Sequence, residues 1–395
     1  MKVIKRILIV LFLGAVLAGR YFFELPSFDV NYIGSYLNQN VIVEARFIQP
    51  PDENMGSLEV LKFKELNHWY ELHGRVTVFA PFLNEFEVGD LVEITGTPVA
   101  SEKPDPRTAA VFQNPKIRLI KSGGEWDFFR IISGVKKKLI NRLNSVFPEP
   151  AASLASGILL GARSSIPKDI KDDFKKTGLT HILAVSGFNI TIVIAFVSAI
   201  FAYLPRKISS LCSVVAIVIF TFLVGASASV VRAAIMGSLT LIAKMFGRRT
   251  AGMRTLLVAG FIMAVLDPFI IFYDIGFQLS FGATAGLILF GERIKKYFEA
   301  LPNWLCLRDN LSATCSAQVF TFPLLIFYFG GFSAITTAAN LIILPFISPL
   351  MLGSFLSLIF GKIIAAPTLL VFDFVIYVIH FLASLPFSFI EVGIL

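Results

Sequence analysis

Apolar residues run in long blocks along most of this chain, and one stretch near the start has a different rhythm. Lys2, Lys5 and Arg6 precede an apolar segment from Ile7 to about Phe23. A positive flank before a near-spanning segment predicts a membrane anchor with its N-terminus inside. Val16 and Ala18 also satisfy a signal-peptidase site, so the segment reads as an uncleaved anchor with cleavage left open, and either outcome exports the residues after it. Beyond Gly178 the apolar blocks return as eight further spans, at about 179–204, 208–227, 229–246, 255–273, 276–290, 310–329, 332–360 and 363–390.

Between these regions, in the exported segment 24–125, the period changes to two. Short β-branched runs at Val41–Val43, Leu58–Phe63, Gly74–Phe79 and Leu91–Thr95 are cut by turn residues, the signature of half-buried strands. The turn Glu87-Val88-Gly89-Asp90, succeeded by a strand ending in Thr95-Gly96-Thr97, resembles the habit of five-stranded OB barrels, which often bind single strands through aromatic and basic residues. The segment is net acidic, and a structural or docking barrel fits it equally.

A linker over 126–178 opens with a helix from Trp126 to Phe147. Phe128, Ile132, Val135, Leu139, Leu143 and Val146 form one stripe, with Lys136, Lys137, Lys138 and Arg142 largely off it, as in an interfacial amphipathic helix. Pro148 and Pro150 end it, and a Gly/Ala/Ser stretch occupies 151–162.

Charge orients the spans. If the chain enters the first span of the 179–395 region from outside, the inside loops hold Arg206/Lys207, then Lys244/Arg248/Arg249/Arg254, then Arg293/Lys295/Lys296/Arg308, then Lys362. All four are basic, as the positive-inside rule requires. The outside loops hold Asp267 and Asp274. The expectation is a polytopic α-helical protein of the cytoplasmic membrane with about nine spans, some broken or re-entrant. A small extracytoplasmic OB-like β-barrel lies near its N-terminus, and the C-terminus is outside.

Composition agrees with the pattern. The 395 residues are 55% hydrophobic and 16% charged, with 40 phenylalanines, a balance that makes lipid the solvent. Residues 24–121 carry nine Lys/Arg against fourteen Asp/Glu, whereas 122–395 carry twenty-two against thirteen. Anionic lipid, a polyanionic substrate or topology alone could account for the basic excess. Cys212, Cys306 and Cys315 offer neither a paired framework nor a metal spacing, and no metal or cofactor is expected.

Polar residues inside apolar spans cost free energy unless paired or wet. His181, Ser186, Gly187 and Asn189 fall in the first span of the 179–395 region; Ser229 and Arg232 share a face in the third. Asp274 and Gln278, then Ser280 and Thr284, stand four apart in the fifth. Gln318, Thr321 and Pro323 interrupt the sixth, and Asn340, Pro345 and Pro349 the seventh. Glycine and proline beside polar groups suggest broken helices around an aqueous lumen. Helix-to-helix hydrogen bonding, or an Arg232–Asp274 ion pair, is the plainer alternative.

The strings GLTHILAVSGFNI (178–190), SVVRAAIM (229–236), DPFIIFYDIGFQLSFGATAGL (267–287), QVFTFPLLIFYF (318–329) and NLIILP (340–345) stand in the order seen in the ComEC-type competence family, which the chain resembles over roughly 150–360. The resemblance implies a channel that passes transforming DNA, as a single strand, across the cytoplasmic membrane. On that reading His181, Ser186, Gly187, Asn189, Arg232, Asp274, Gln278, Ser280, Gln318 and Asn340 line the DNA path. Membrane lipid, an external DNA receptor and a cytoplasmic helicase-like motor are the implied partners. Many members carry a C-terminal metallo-β-lactamase-like domain; this chain shows no H-x-H-x-D-H run, so it is expected to be a short form whose nuclease is separate or absent. Nor is there a G-x-x-x-x-G-K-[ST] loop to power transport by its own hydrolysis. Two rivals stay open: a small-solute or lipid-linked-sugar transporter, and a serine intramembrane protease using Ser186 and His380.

Overall fold

Alternation of buried and open positions builds the sheet. Val41, Val43, Ala45 and Phe47 are buried along one face of β1 (Val41–Phe47), while Ile42, Glu44 and Arg46 are not, so one face of the strand packs and the other meets solvent. The computed structural model describes residues 14–21, 32–48, 51, 54–65, 68–81, 83–101, 107–123, 128–183, 185, 187–300, 307–385 and 389–391. It divides into one unit of residues 1–135 and 264–273 and a second of 136–263 and 274–395.

In the first unit, β1 leads to β2 (Met55–Glu65), β3 (His68–Glu71), β4 (Arg75–Phe79), β5 (Leu91–Gly96), β6 (Pro98–Val99), β7 (Ala110–Gln113) and β8 (Lys116–Lys121). Their order across the sheet is β6-β7-β4-β2-β1-β5-β8, with β3 also paired to β2. β1 lies antiparallel to both neighbours, Val43 opposite Phe63 on β2 and Ile94 on β5, whereas β4 and β7 run parallel. Only Thr97 separates β5 from β6, and β6 pairs with β7, so the sheet curls back on itself. Phe47, Leu58, Val78, Val92, Ile94 and Phe112 fill the interior.

The turn read from Glu87-Val88-Gly89-Asp90 is held by a buried carboxylate. Asp90 accepts the Glu87 N–H at 2.8 Å, the Gly123 N–H at 2.9 Å and the Ser122 hydroxyl at 3.3 Å. Gly89 takes φ +89°, which glycine adopts without steric cost. The four runs expected as strands fall in β1, β2, β4 and β5. The short β3, β6, β7 and β8 were not anticipated, because strands of two to six residues hold too few alternations to register.

Of the expected N-terminal anchor, residues 14–21 form a helix, α1; the rest lies outside the described residues. Tyr21 packs edge-on against Phe269 and Phe272, with ring centres 5.1 and 6.2 Å apart. These rings belong to the turn between α9 (Gly252–Leu266) and α10 (Ile270–Tyr273) and to α10 itself. There Asp267 accepts the Phe269 N–H at 3.0 Å and pairs with Arg107 at 3.0 Å. The span expected over 255–273 is therefore interrupted at Asp267-Pro268, where the proline stops α9 and the Asp267 carboxylate caps the turn leading into α10.

The second unit is helical. Its elements are α2 (Phe128–Val146, from Lys136 on), α3 (Ala151–Leu160), α4 (Lys168–Lys176), α5 (Thr180–Leu183), α6 (Gly187–Ile200), α7 (Arg206–Val224), α8 (Ala228–Met245), α9 to Met263, α11 (Ile275–Tyr297), α12 (Leu307–Phe329), α13 (Thr336–Phe360) and α14 (Lys362–Ala383). Among the described residues six helices, α7, α8, α11, α12, α13 and α14, are long and apolar enough to cross a membrane. The chain is thus a multi-pass membrane protein with an N-terminal β-domain. The breaks do not fall where proline predicts them. α12 runs through Pro323, and α13 runs through Pro345 and Pro349; interior prolines of this kind are tolerated when neighbouring groups satisfy the freed carbonyl.

The Gly/Ala/Ser stretch after the amphipathic helix is α3, all ten residues of which are buried. Its small side chains let Leu154, Ile158 and Leu160 pack closely with Ile343, Leu350, Phe372 and Val375 of α13 and α14. Gly161 caps α3 at φ +71°, and a Cβ there would stand 2.9 Å from the Val224 carbonyl oxygen. α11 and α12 approach as tightly: a Cβ on Gly286 would meet the Ser316 carbonyl oxygen at 2.2 Å.

Candidate functional site

The polar positions of the helical unit resolve into one cluster and several separate ties. The cluster starts at the gap between α5, which ends at Leu183, and α6, which begins at Gly187; Ser186, in that gap, lies outside the described residues. Val185 is anchored to α8 by the Ser229 hydroxyl, which donates to its carbonyl at 3.2 Å. One turn along α8, Arg232 reaches α11, where its Nη1 donates to the Ser280 backbone carbonyl. The same carbonyl accepts the Thr284 hydroxyl at 2.9 Å. Gly187 completes the cluster, since a Cβ there would lie 3.2 Å from Arg232 Nη2 and 3.2 Å from Ala233 Cβ. Any larger residue at 187 would press on the guanidinium.

Arg232 has no carboxylate partner among the described residues. The ion pair with Asp274 considered from sequence is not formed: Asp274 is the N-cap of α11, and its side chain accepts the Phe277 N–H at 2.7 Å. Its own helix start supplies the positive partner, so the aspartate is spent locally. Arg232 Nε and the Ser280 hydroxyl are both shielded from solvent with no hydrogen-bond partner. A half-satisfied guanidinium of this kind is costly in a low-dielectric setting.

The remaining predicted residues tie helices together elsewhere. Asn189 is buried, and its Nδ2 donates to the Ile158 carbonyl of α3 at 2.9 Å. Gln278 accepts the Tyr328 hydroxyl at 2.7 Å, joining α11 to α12, and Gln318 accepts the Thr337 hydroxyl at 3.1 Å, joining α12 to α13. Asn340 is buried in α13 with its Oδ1 unpartnered. His181 is exposed at the start of α5, its Nδ1 3.2 Å from the Gly178 carbonyl oxygen. Sequence reasoning passed over Tyr328 and Thr337, although Tyr328 sits in the 318–329 string; nothing in a single sequence marks a tyrosine at a helix end as a cross-helix donor. His380, the alternative catalytic base, is exposed at the last turn of α14 and pairs with Asp173 of α4 at 2.8 Å. No group of three or more potential metal-binding side chains occurs among the described residues.

Set beside known proteins, the chain is 25% identical over 220 residues to ComE operon protein 3 of Bacillus subtilis (strain 168), covering 55% of this chain and 27% of that protein. It is 27% identical over 243 residues to an uncharacterised protein of Aquifex aeolicus (strain VF5), covering 60% of this chain and 54% of that one. The matched part is thus little more than half, or about a quarter, of those relatives' length. A solved aspartyl tRNA synthetase from Entamoeba histolytica aligns over 43% of this chain and 35% of that one, at 14% identity and a TM-score of 0.18, too low to bear on the fold. The family described as Competence protein matches residues 158–395, from the last turn of α3 through the last helix and so every residue of the Arg232 cluster, and the chain belongs to that family.

Proposed function

We propose that the helical unit is a conduit that passes transforming DNA, as a single strand, across the cytoplasmic membrane. The observation that carries the reading is Arg232, a guanidinium within a membrane-spanning helix held by a backbone carbonyl and lacking a carboxylate partner among the described residues. A fixed cation of this kind suits a strand carrying one negative charge per nucleotide, whereas a structural arginine would be neutralised where it stands. Membership of the competence family supports the DNA, and the order of its strings supports the placement of the cluster.

The strand pairing of the first unit supports an OB barrel: β1, β2 and β4 form the meander, β5 returns beside β1, and β7 runs parallel to β4. Nine spans in all, with the β-domain and C-terminus outside, fit the basic loops between α6 and α7, α8 and α9, α11 and α12, and α13 and α14. The force for transport comes from partners, an external receptor that delivers DNA and a cytoplasmic helicase-like motor that pulls it. The chain itself does no chemistry on the strand.

The test is Arg232→Gln in cells that take up DNA. Arg232 stands in the second turn of α8, where its cost in lipid is at most the ~2.5–3.5 kcal/mol of an uncompensated arginine at a helix centre, so removing it should leave the protein in the membrane at normal abundance while uptake falls. Undiminished uptake at normal abundance would exclude Arg232 from the path, and disappearance of the protein would make its role structural.

A further inference from the structure

We infer that Arg232, Ser280 and Gly187 form a seat for one phosphodiester group of the passing strand, so that the conduit reads backbone and ignores bases; the inference rests on the conduit reading. A guanidinium has five N–H donors in a planar fork, and the structure gives one of them a partner, the Ser280 carbonyl. Nε is shielded from solvent and unpartnered, and the Ser280 hydroxyl is in the same state. Two unused polar groups on α8 and α11, one of them on a cation without a counterion, call for a ligand that is anionic and accepts several hydrogen bonds. A tetrahedral oxyanion meets both needs: two oxygens for the fork and one for the hydroxyl.

Two features shape the seat. Gly187 leaves Nη2 clear by presenting no side chain, since a Cβ would come within 3.2 Å. Ser229, one turn before Arg232 on α8, pins Val185 and so holds the start of α6, with the positive end of its dipole, beside the guanidinium. A base edge would supply neither the charge nor the paired acceptors.

The experiment uses the full chain in phosphatidylcholine nanodiscs and fluorescent thymidine oligonucleotides of two kinds, ordinary phosphodiester and charge-neutral methylphosphonate. Arg232→Gln should weaken the phosphodiester strand by about tenfold, the worth of one charge-assisted contact, and leave the neutral strand unchanged. Arg232→Lys, which keeps the charge and loses the fork, should fall between, and it guards against misfolding of the glutamine variant. Ser280→Ala should cost less than Arg232→Gln and again touch only the charged strand. Equal loss on both strands, or loss on neither, overturns the seat. Phosphatidylglycerol that weakens phosphodiester binding to the wild type but not to Arg232→Gln would assign the seat to lipid headgroups and overturn its assignment to DNA. Lost oligonucleotide binding with full uptake in cells would leave a phosphate seat that lies off the uptake path, and so remove the observation on which the conduit reading rests.

Discussion

Gly286 and Gly291 lie five residues apart on α11, and substituting each by alanine separates packing from helix propensity. At Gly286 the new Cβ would stand 2.2 Å from the Ser316 carbonyl oxygen and 3.4 Å from Ala317 Cα, both backbone; at Gly291 nothing lies within 4 Å. Relief at 286 requires α11 and α12 to separate by roughly 1 Å to restore ordinary contact distances. Overpacking of this kind costs about 1–3 kcal/mol, against about 1 kcal/mol gained by either substitution from propensity. The difference between the variants cancels the gain and leaves the overpacking. Heated detergent extracts of a fluorescent fusion, analysed by size-exclusion chromatography, should show Gly286→Ala melting several degrees below Gly291→Ala, with Gly291→Ala at or above the wild type. Equal melting of the two would refute the close crossing and the small-residue packing inferred from it.

Two further predictions address orientation and chemistry. Cysteine placed at Asn54 should react with a membrane-impermeant thiol reagent from outside, and one at Gly247, in the basic loop after α8, should not; labelling at Gly247 alone would invert the assignment. Ser186→Ala should leave uptake largely intact and His380→Gln should be mild, since His380 is exposed and engaged by Asp173, whereas the bulky Gly187→Leu should block transport by displacing the Arg232 guanidinium. Loss of function in both Ser186→Ala and His380→Gln, with fluorophosphonate labelling of Ser186, would replace the conduit with a hydrolase.

The elements were legible wherever the cause is local. Solvent preference repeats every second residue along β1, and it stays predominantly apolar for a bilayer's thickness in α7, α13 and α14, so period and length alone placed them. Asp274 was read for its charge when its position before Ile-Gly-Phe also marks it as a helix cap, a signal present in the sequence and outweighed by the attraction of pairing it with an arginine. The prolines of α12 and α13 misled in the opposite direction. A proline removes one hydrogen bond wherever it stands, and whether the helix then breaks depends on what surrounds it.

The sequence by itself determined the membrane class, the β-rich N-terminal segment, the basic loops and the set of polar residues to be explained, because each arises from partitioning residues between water and lipid. Only the tertiary structure decided their partners. Asn189 turned to the Ile158 carbonyl, Gln278 to Tyr328 and Gln318 to Thr337, and Arg232 alone of that set was left as a cation with spare donors beside Ser280 and Gly187. Those choices depend on which helices touch and at what rotation. That is settled by close packing across α8, α11 and α12, where a glycine or serine admits a neighbouring backbone, and no periodicity along one chain encodes it.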